Sequence, residues 1–295
     1  MTVTVLSAGS LTTLQDQGRI GLAHLGVPRA GPLDDRAADL ANRLVGNPHE
    51  AAVLEVTLGG FEARAGDGHW VAVTGAACPV QVDGSPAAHG EAVWLPTGAE
   101  LRLGTPGSGV RSYLAVAGGF DVEPVLGSRA TDTLAWVGPP PVEDGTELPV
   151  GLPSGAPQAH DTPRPGEPGP LRLTPGPRAD WFAEDALLRL CGTSYVVEAD
   201  SNRVGLRLSG PELAWKKSRE LSSEGMVLGA VQVPPNGQPV VFLADHPPTG
   251  GYPVIGVVRR EDLWQCGQLR PGDQVGFTPD PDARDGAPAR RRRTT

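Results

Sequence analysis

The chain has 295 residues, enough for two ordinary domains or one large β domain, and its 39% apolar content against 20% charged suits a protein that buries a proper core. A net charge of −9, with only two lysines (Lys216 and Lys217), argues against a nucleic-acid partner, which would need clustered cations. Forty glycines and 31 prolines without a strict period point to many turns between short strands, and three scattered cysteines (78, 191 and 266) fit reduced thiols better than a disulfide frame.

The opening residues, MTVTVLSAGSLTTLQDQG, lack the basic and apolar regions of a leader, and no window approaches 18 apolar residues. A cytoplasmic protein without a membrane partner is expected. The first strand is VTVLSAG (3–9), followed by the polar, glycine-broken run QDQGRIGLAHLG (15–26). Ala37, Leu40, Ala41, Leu44 and Val45 then recur at helical spacing, with Asp34 as N-cap and Gly46 just past the end. Strands HWVAVTGA, AVWLPTG, ELRLG and SYLAVAG follow, rich in Val and Leu and bounded by turn residues. From Gly138 to Pro170, ten of 33 residues are proline and little is β-branched, so loop or linker is expected there. A second helix is expected from Trp181 to Cys191 with Asp180 as its N-cap, then strands YVVEAD, PVVFLAD and PVIGVV. The chain ends in ARDGAPARRRRTT, read as a solvated, disordered tail.

Internal similarity crosses the proline-rich divide. Asp16-x-x-Arg19-Ile-Gly-Leu recurs 184 positions later as Asp200-x-x-Arg203-Val-Gly-Leu. LGGFEARAGDGHWVAVTGA (58–76) resembles LGAVQVPPNGQPVVFLADH (228–246), and PTGAELRLG (96–104) resembles RPGDQVGF (270–277). Three similar segments in one order indicate two divergent copies of one domain. The expected organisation is a first β domain over 1–137, a linker over 138–170, a second β domain over 171–279 and a tail over 280–295. The fold class is all-β with a few short helices, since the strand–helix alternation of a parallel α/β sheet is missing.

No phosphate-binding loop, dinucleotide fingerprint or nucleophile elbow is present, and the six histidines (24, 49, 69, 89, 160 and 246) are isolated, so no metal site is expected. Polar residues cluster instead in three glycine-flanked places: Gln15 to Arg19 with Gly26–Gly31 and Asp34, Ala41–Pro48 leading to Glu55, and Ala244–Pro253. In the last, Asp245, Thr249 and Tyr252 supply an acid/base and two hydroxyls, and Gly250 and Gly251 would aim successive N–H groups at an anion, as a nest does. A tight turn with Asp245 capping its own loop is the competing reading. Glu55 sits in VLEVTL, where alternation with Leu54 and Val56 puts it on the solvent face. Turned inward, it would be an acid/base of raised pKa. Asp16 with Arg19, and Asp200 with Arg203, read as structural ion pairs at strand-to-turn corners.

Taken in order, LTTLQDQGRIGLAHLGVPRAGPLDDRAADLANRLVGN, LEVTLGG, GVRSYLAVAGGF with LGSRAT, NRVGLRL-GP, SSEGMVLGAVQVPPNGQPVVFLAD, TGGYP and QLRPGDQVGF closely resemble the family of 5-oxoprolinase C subunits, over roughly residues 3–278. That family is also called KipA-like and is related to the carboxyltransferase domain of urea amidolyase. The resemblance implies two tandem cyclophilin-like β-barrels. It also implies action with the 5-oxoprolinase B subunit (KipI-like) and A subunit in the ATP-dependent conversion of 5-oxo-L-proline to L-glutamate, with Mg-ATP held together with the partner. A site for that reaction would draw its acid/base from Asp245 or Glu55 and its carboxylate clamp from Arg19 or Arg203. Thr249, Gly250 and Gly251 would serve the oxyanion or phosphate, with Gln15 and Tyr252 completing the substrate contacts. Pro248 stands where the family often has a second Thr, so that residue's role does not carry over. Two other functions stay open. A biotin-dependent carboxyltransferase would need its biotin on another chain, because Lys216 and Lys217 lack flanking methionines. A non-catalytic regulator would act by binding a KipI-like protein.

Overall fold

The computed structural model describes residues 1–159, 168–217 and 221–282. The first half is built from two antiparallel sheets. One has six strands in the order Glu147–Pro149, Thr2–Ala8, Phe61–Ala65, Glu100–Leu103, Val80–Val82 and Ser85–Ala87. The other has five, in the order Leu11–Gln15, Val53–Thr57, Arg111–Val116, His69–Gly75 and Ala92–Leu95. Side chains alternate across each strand, so Leu54, Val56, Val71, Val73, Leu114 and Val116 face the other sheet and join Val5, Phe61 and Leu101 in one core.

The opposite face of the five-stranded sheet is also covered. Helix α1 (Asp35–Leu44) lays Ala37, Ala38, Ala41 and Leu44 on Val53, Ala72, Tyr113 and Ala115. Its N-cap is Asp34, as the sequence predicts, with Asp34 Oδ1 accepting from Ala37 N at 3.0 Å. The central strands therefore have two buried faces. This overturns the expectation that Glu55 lies on a solvent face: alternation does set it apart from Leu54 and Val56, but the face it shares is roofed over, and Glu55 is only 1% exposed.

In the second half the ladder closes into a seven-stranded barrel: Leu171–Pro175, Val254–Val258, Ala230–Gln232, Val240–Phe242, Gly205–Ser209, Ser194–Val197 and Gln274–Pro279, the last pairing in parallel with the first. Leu171, Leu206, Leu208, Val231, Val241, Ile255 and Phe277 fill it. A short ribbon pairs Glu224–Gly225 with Thr249–Gly250. The chain is thus mostly β. Among the described residues no helix is long and apolar enough to cross a membrane.

Two local expectations are corrected. The second helix does not start at Asp180: Ala179–Trp181 form one 3-10 turn, Phe182 is extended and bridges Trp215, and α2 runs Ala186–Gly192 after Asp185. Burial of Trp181 and Phe182 in the barrel core outweighs the helical pattern. The proline-rich stretch is not loop throughout, because buried Val142, Leu148 and Val150 anchor it and Glu147–Pro149 pairs with Thr2–Thr4 as an edge strand. It follows the first half as far as Gln158, whose N–H donates to Leu44 O at 3.0 Å. His160 and the four consecutive arginines of the tail lie outside the described residues.

Candidate functional site

The two halves meet along a seam organised by Arg203. This residue follows the strand Ser194–Val197, and its guanidinium is 1% exposed. Nε and Nη2 donate to the two carboxylate oxygens of Asp245 at 2.9 Å each, Nη1 donates to Glu55 Oε1, and Nη2 also donates to Gly31 O at 2.7 Å. One cation thus joins a carboxylate of its own half to a carboxylate and a carbonyl of the other.

Both acids are fully engaged on their other sides. Asp245 Oδ2 accepts from Thr133 N at 2.9 Å and Thr133 Oγ1 at 2.7 Å. Glu55 Oε2 accepts from Leu33 N at 3.0 Å and from the hydroxyl of its cross-strand neighbour Tyr113 at 2.8 Å, and Arg111 Nε lies 3.3 Å from Oε1. The Tyr113 hydroxyl in turn accepts from Asp34 N at 2.8 Å. Burial works against the Glu55 charge, but the Arg203 and Arg111 guanidiniums and the two hydrogen bonds outweigh it and hold the carboxyl below the usual carboxylate range. The expected acid/base of raised pKa is therefore not found at Glu55. Asp245, at 0% exposed, is likewise an ion-pair partner.

The other predicted site residues scatter. Gln15 is buried and structural: Nε2 donates to Thr131 O at 3.0 Å, and Oε1 accepts from Gly31 N at 3.1 Å. Arg19 is held by carbonyls of the first half, with Nε donating to Val125 O at 3.1 Å and Nη2 to Ala130 O at 2.7 Å. Neither expected Asp–Arg pair forms. Asp16 instead takes Ser128 Oγ at 2.5 Å and Arg129 N at 2.6 Å, while Asp200 pairs with Arg207 at the surface, 3.0 Å apart.

Thr249, Gly250, Gly251 and Tyr252 stand apart from Arg203, on the short ribbon. Neither glycine has the left-handed φ that an anion nest requires, which removes that reading. Gly250 is small for packing reasons: a Cβ there would lie 2.8 Å from Gln232 Nε2 and 3.2 Å from Met226 Cγ. Thr249 and Tyr252 are exposed, and the Tyr252 ring lies 6.4 Å from Trp215.

What the seam does offer is a cleft of about 50 Å³ beside Arg203, room for a few waters or one small ligand group. Arg29, Leu33 and Asp35 line it from the first half, and Leu243, Arg260 and Trp264 from the second. Asp35 and Arg260 form a loose, exposed pair at 3.4 Å. The Nε of Arg29 is buried without a hydrogen-bond partner, and burial together with the charge of Arg260 lowers its pKa, with Asp35 acting the other way. Sequence reading missed these groups. Arg29 sits within the glycine-flanked run Gly26–Gly31 already singled out, yet nothing local marks which arginine of that region stays unpaired.

The chain matches the carboxyltransferase domain, subdomain A and B, over residues 25–279. It is 38% identical over 280 residues to the C subunit of 5-oxoprolinase from Escherichia coli, covering 92% of this chain and 89% of that protein. It is also 32% identical to a urea amidolyase of Lachancea kluyveri, but spans only 17% of that protein. The crystal structure of the K. lactis urea amidolyase superposes with a TM-score of 0.87 at 30% identity, over 94% of this chain and 18% of that one.

Proposed function

The chain belongs to the carboxyltransferase domain family, subdomain A and B, and on that premise we propose that it is the C subunit of a multi-subunit, ATP-dependent 5-oxoprolinase of the cytoplasm. One observation carries this reading: the likeness to a 5-oxoprolinase C subunit runs nearly end to end through both proteins, whereas the urea amidolyases contain this chain as a small part of a much longer one.

The chemistry is the opening of an unreactive lactam. ATP transfers its γ-phosphoryl group to the lactam oxygen and ADP leaves. Water adds to the activated carbon, the C–N bond breaks as nitrogen takes a proton, and a second water releases phosphate from the resulting acyl phosphate. We assign ATP to the partner subunit, since the seam cleft of about 50 Å³ suits a small group rather than a nucleotide. This chain would then hold the small substrate at the seam, with the KipI-like B subunit closing the site and the A subunit completing the enzyme.

The test is 5-oxoproline-dependent ATP hydrolysis by this chain with its B and A subunits, each left out in turn. Activity that vanishes without this chain is the expected result. A stable complex with the B subunit that never responds to 5-oxoproline would overturn the reading. The likeness to urea amidolyases over 93% of this chain favours a second reading, carboxyl transfer to a urea-like amide with biotin carried on another chain. That reading predicts dependence on a biotin carrier and none on 5-oxoproline.

A further inference from the structure

The cationic side chains at the seam differ in how far their donors are matched. Arg203 is saturated by two carboxylates, Arg111 donates to Gly267 O at 2.6 Å while facing Glu55, and Arg19 donates to carbonyls through Nε and Nη2, with its Nη1 buried and unpartnered. Arg29 makes no hydrogen bond or ion pair through its side chain among the described residues, although its Nε is buried. Its backbone is firmly held: Arg29 O accepts from Arg19 N at 2.7 Å, and the next residue's N–H donates to Ala244 O of the other half at 3.1 Å. From this held backbone the side chain lines the cleft with its donors unused. Leu33, Leu243 and Trp264 supply apolar walls, and Arg260 adds a second positive charge opposite.

We propose that Arg29, supported by Arg260, is the anchor of a small-oxyanion site at the seam, a role that falls to neither Arg19 nor Arg203. A planar guanidinium grips carboxylate or phosphate oxygens through paired donors, and low-dielectric walls strengthen that grip. A buried cationic donor left without an acceptor is costly, and a bound oxyanion removes that cost. The cleft volume admits a carboxylate or a single phosphate and excludes a triphosphate chain. Asp35 keeps Arg260 in place at the exposed side without reaching ion-pair distance of Arg29. The inference goes beyond the oxoprolinase reading and does not depend on it, since it concerns binding of an anion by this chain alone.

Isothermal titration and ligand-observed NMR on the full chain test it, with 5-oxo-L-proline, acetate, inorganic phosphate and the uncharged lactam 2-pyrrolidinone as probes. The anions should bind and 2-pyrrolidinone should not. Arg29→Gln should weaken anion binding about tenfold or more, the loss of one charge-assisted pair. Its unfolding midpoint should stay unchanged, and Arg29→Lys should restore part of the affinity. Tighter binding of 5-oxo-L-proline than of phosphate identifies a substrate carboxylate, and the reverse order a phosphate; either supports the site. Equal anion binding by wild type and Arg29→Gln, or no binding by the wild type, overturns it. Arg29-dependent binding in a chain that never supports 5-oxoproline turnover would leave the site standing and remove the enzymatic reading. Full turnover in an Arg29→Gln chain that has lost anion binding would leave both the site and the enzymatic reading standing and separate the one from the other.

Discussion

The two Asp-x-x-Arg-hydrophobic-Gly-Leu segments share one sequence pattern and do different work. In the first, both charged residues are employed separately: Asp16 gathers Ser128 and Arg129, and Arg19 holds the carbonyls of Val125 and Ala130. In the second, Arg203 has become the junction between the halves, while Asp200 has drifted to a surface pair with Arg207, its side chain 64% exposed. Both copies follow a strand, but the first continues through the left-handed Gly18 and Gly21 into a 3-10 turn, whereas the second enters the strand Gly205–Ser209 directly. What surrounds each copy decides what its arginine does.

Removing the junction should give the largest effect. Arg203→Gln leaves buried Asp245 without its cation and Glu55 with Arg111 alone, and should cost about 3–5 kcal/mol in chemical denaturation. Asp16→Ala and Arg19→Gln, which disturb only one half, should cost about 1–3 kcal/mol each through orphaned donors and carbonyls. If Arg19→Gln proved as damaging as Arg203→Gln, the contrast between the copies would collapse.

Acid sharpens the same contrast. Glu55 has its pKa lowered on folding, so the unfolded chain takes up the proton first, and the stability it contributes is complete above the ordinary glutamate range, about 4.3. That contribution fades as pH falls through the lower, folded value. Urea midpoints measured from neutral to acid pH should therefore fall less steeply in Glu55→Gln than in wild type. The smallest effect belongs to Asp200→Ala, within about 0.5 kcal/mol, because an exposed ion pair contributes little.

Much of the fold was legible in the sequence and much of the site was not. Short Val- and Leu-rich runs located strands such as His69–Gly75 and Arg111–Val116, and periodicity with an Asp cap located α1. The start of α2 was hidden because Phe182 is pulled into an extended bridge by a distant residue, Trp215. Period-two alternation told which neighbours Glu55 shares a face with, but not that α1 and the second half roof that face. Thr133 and Tyr113, which complete the seam network, carry no local signature, because their importance depends on Asp245 and Glu55 arriving from elsewhere in the chain.

The seam also decides whether the molecule can be taken apart. Gln268 of the second half accepts from Val110 N and Arg111 N at 3.0 Å each, and donates to Asp34 at 2.9 Å, so the crossing at Arg203 is reinforced by a second, independent stitch. The crossing ties together one buried charge from each half: Glu55, which also faces Arg111 of its own half, and Arg203, which also grips Asp245 of its own half. Expressed alone, either half would keep its own counter-charge and lose every bond that crosses the seam. Expressed together as separate polypeptides, the halves should find each other, as two pieces of a single folding unit.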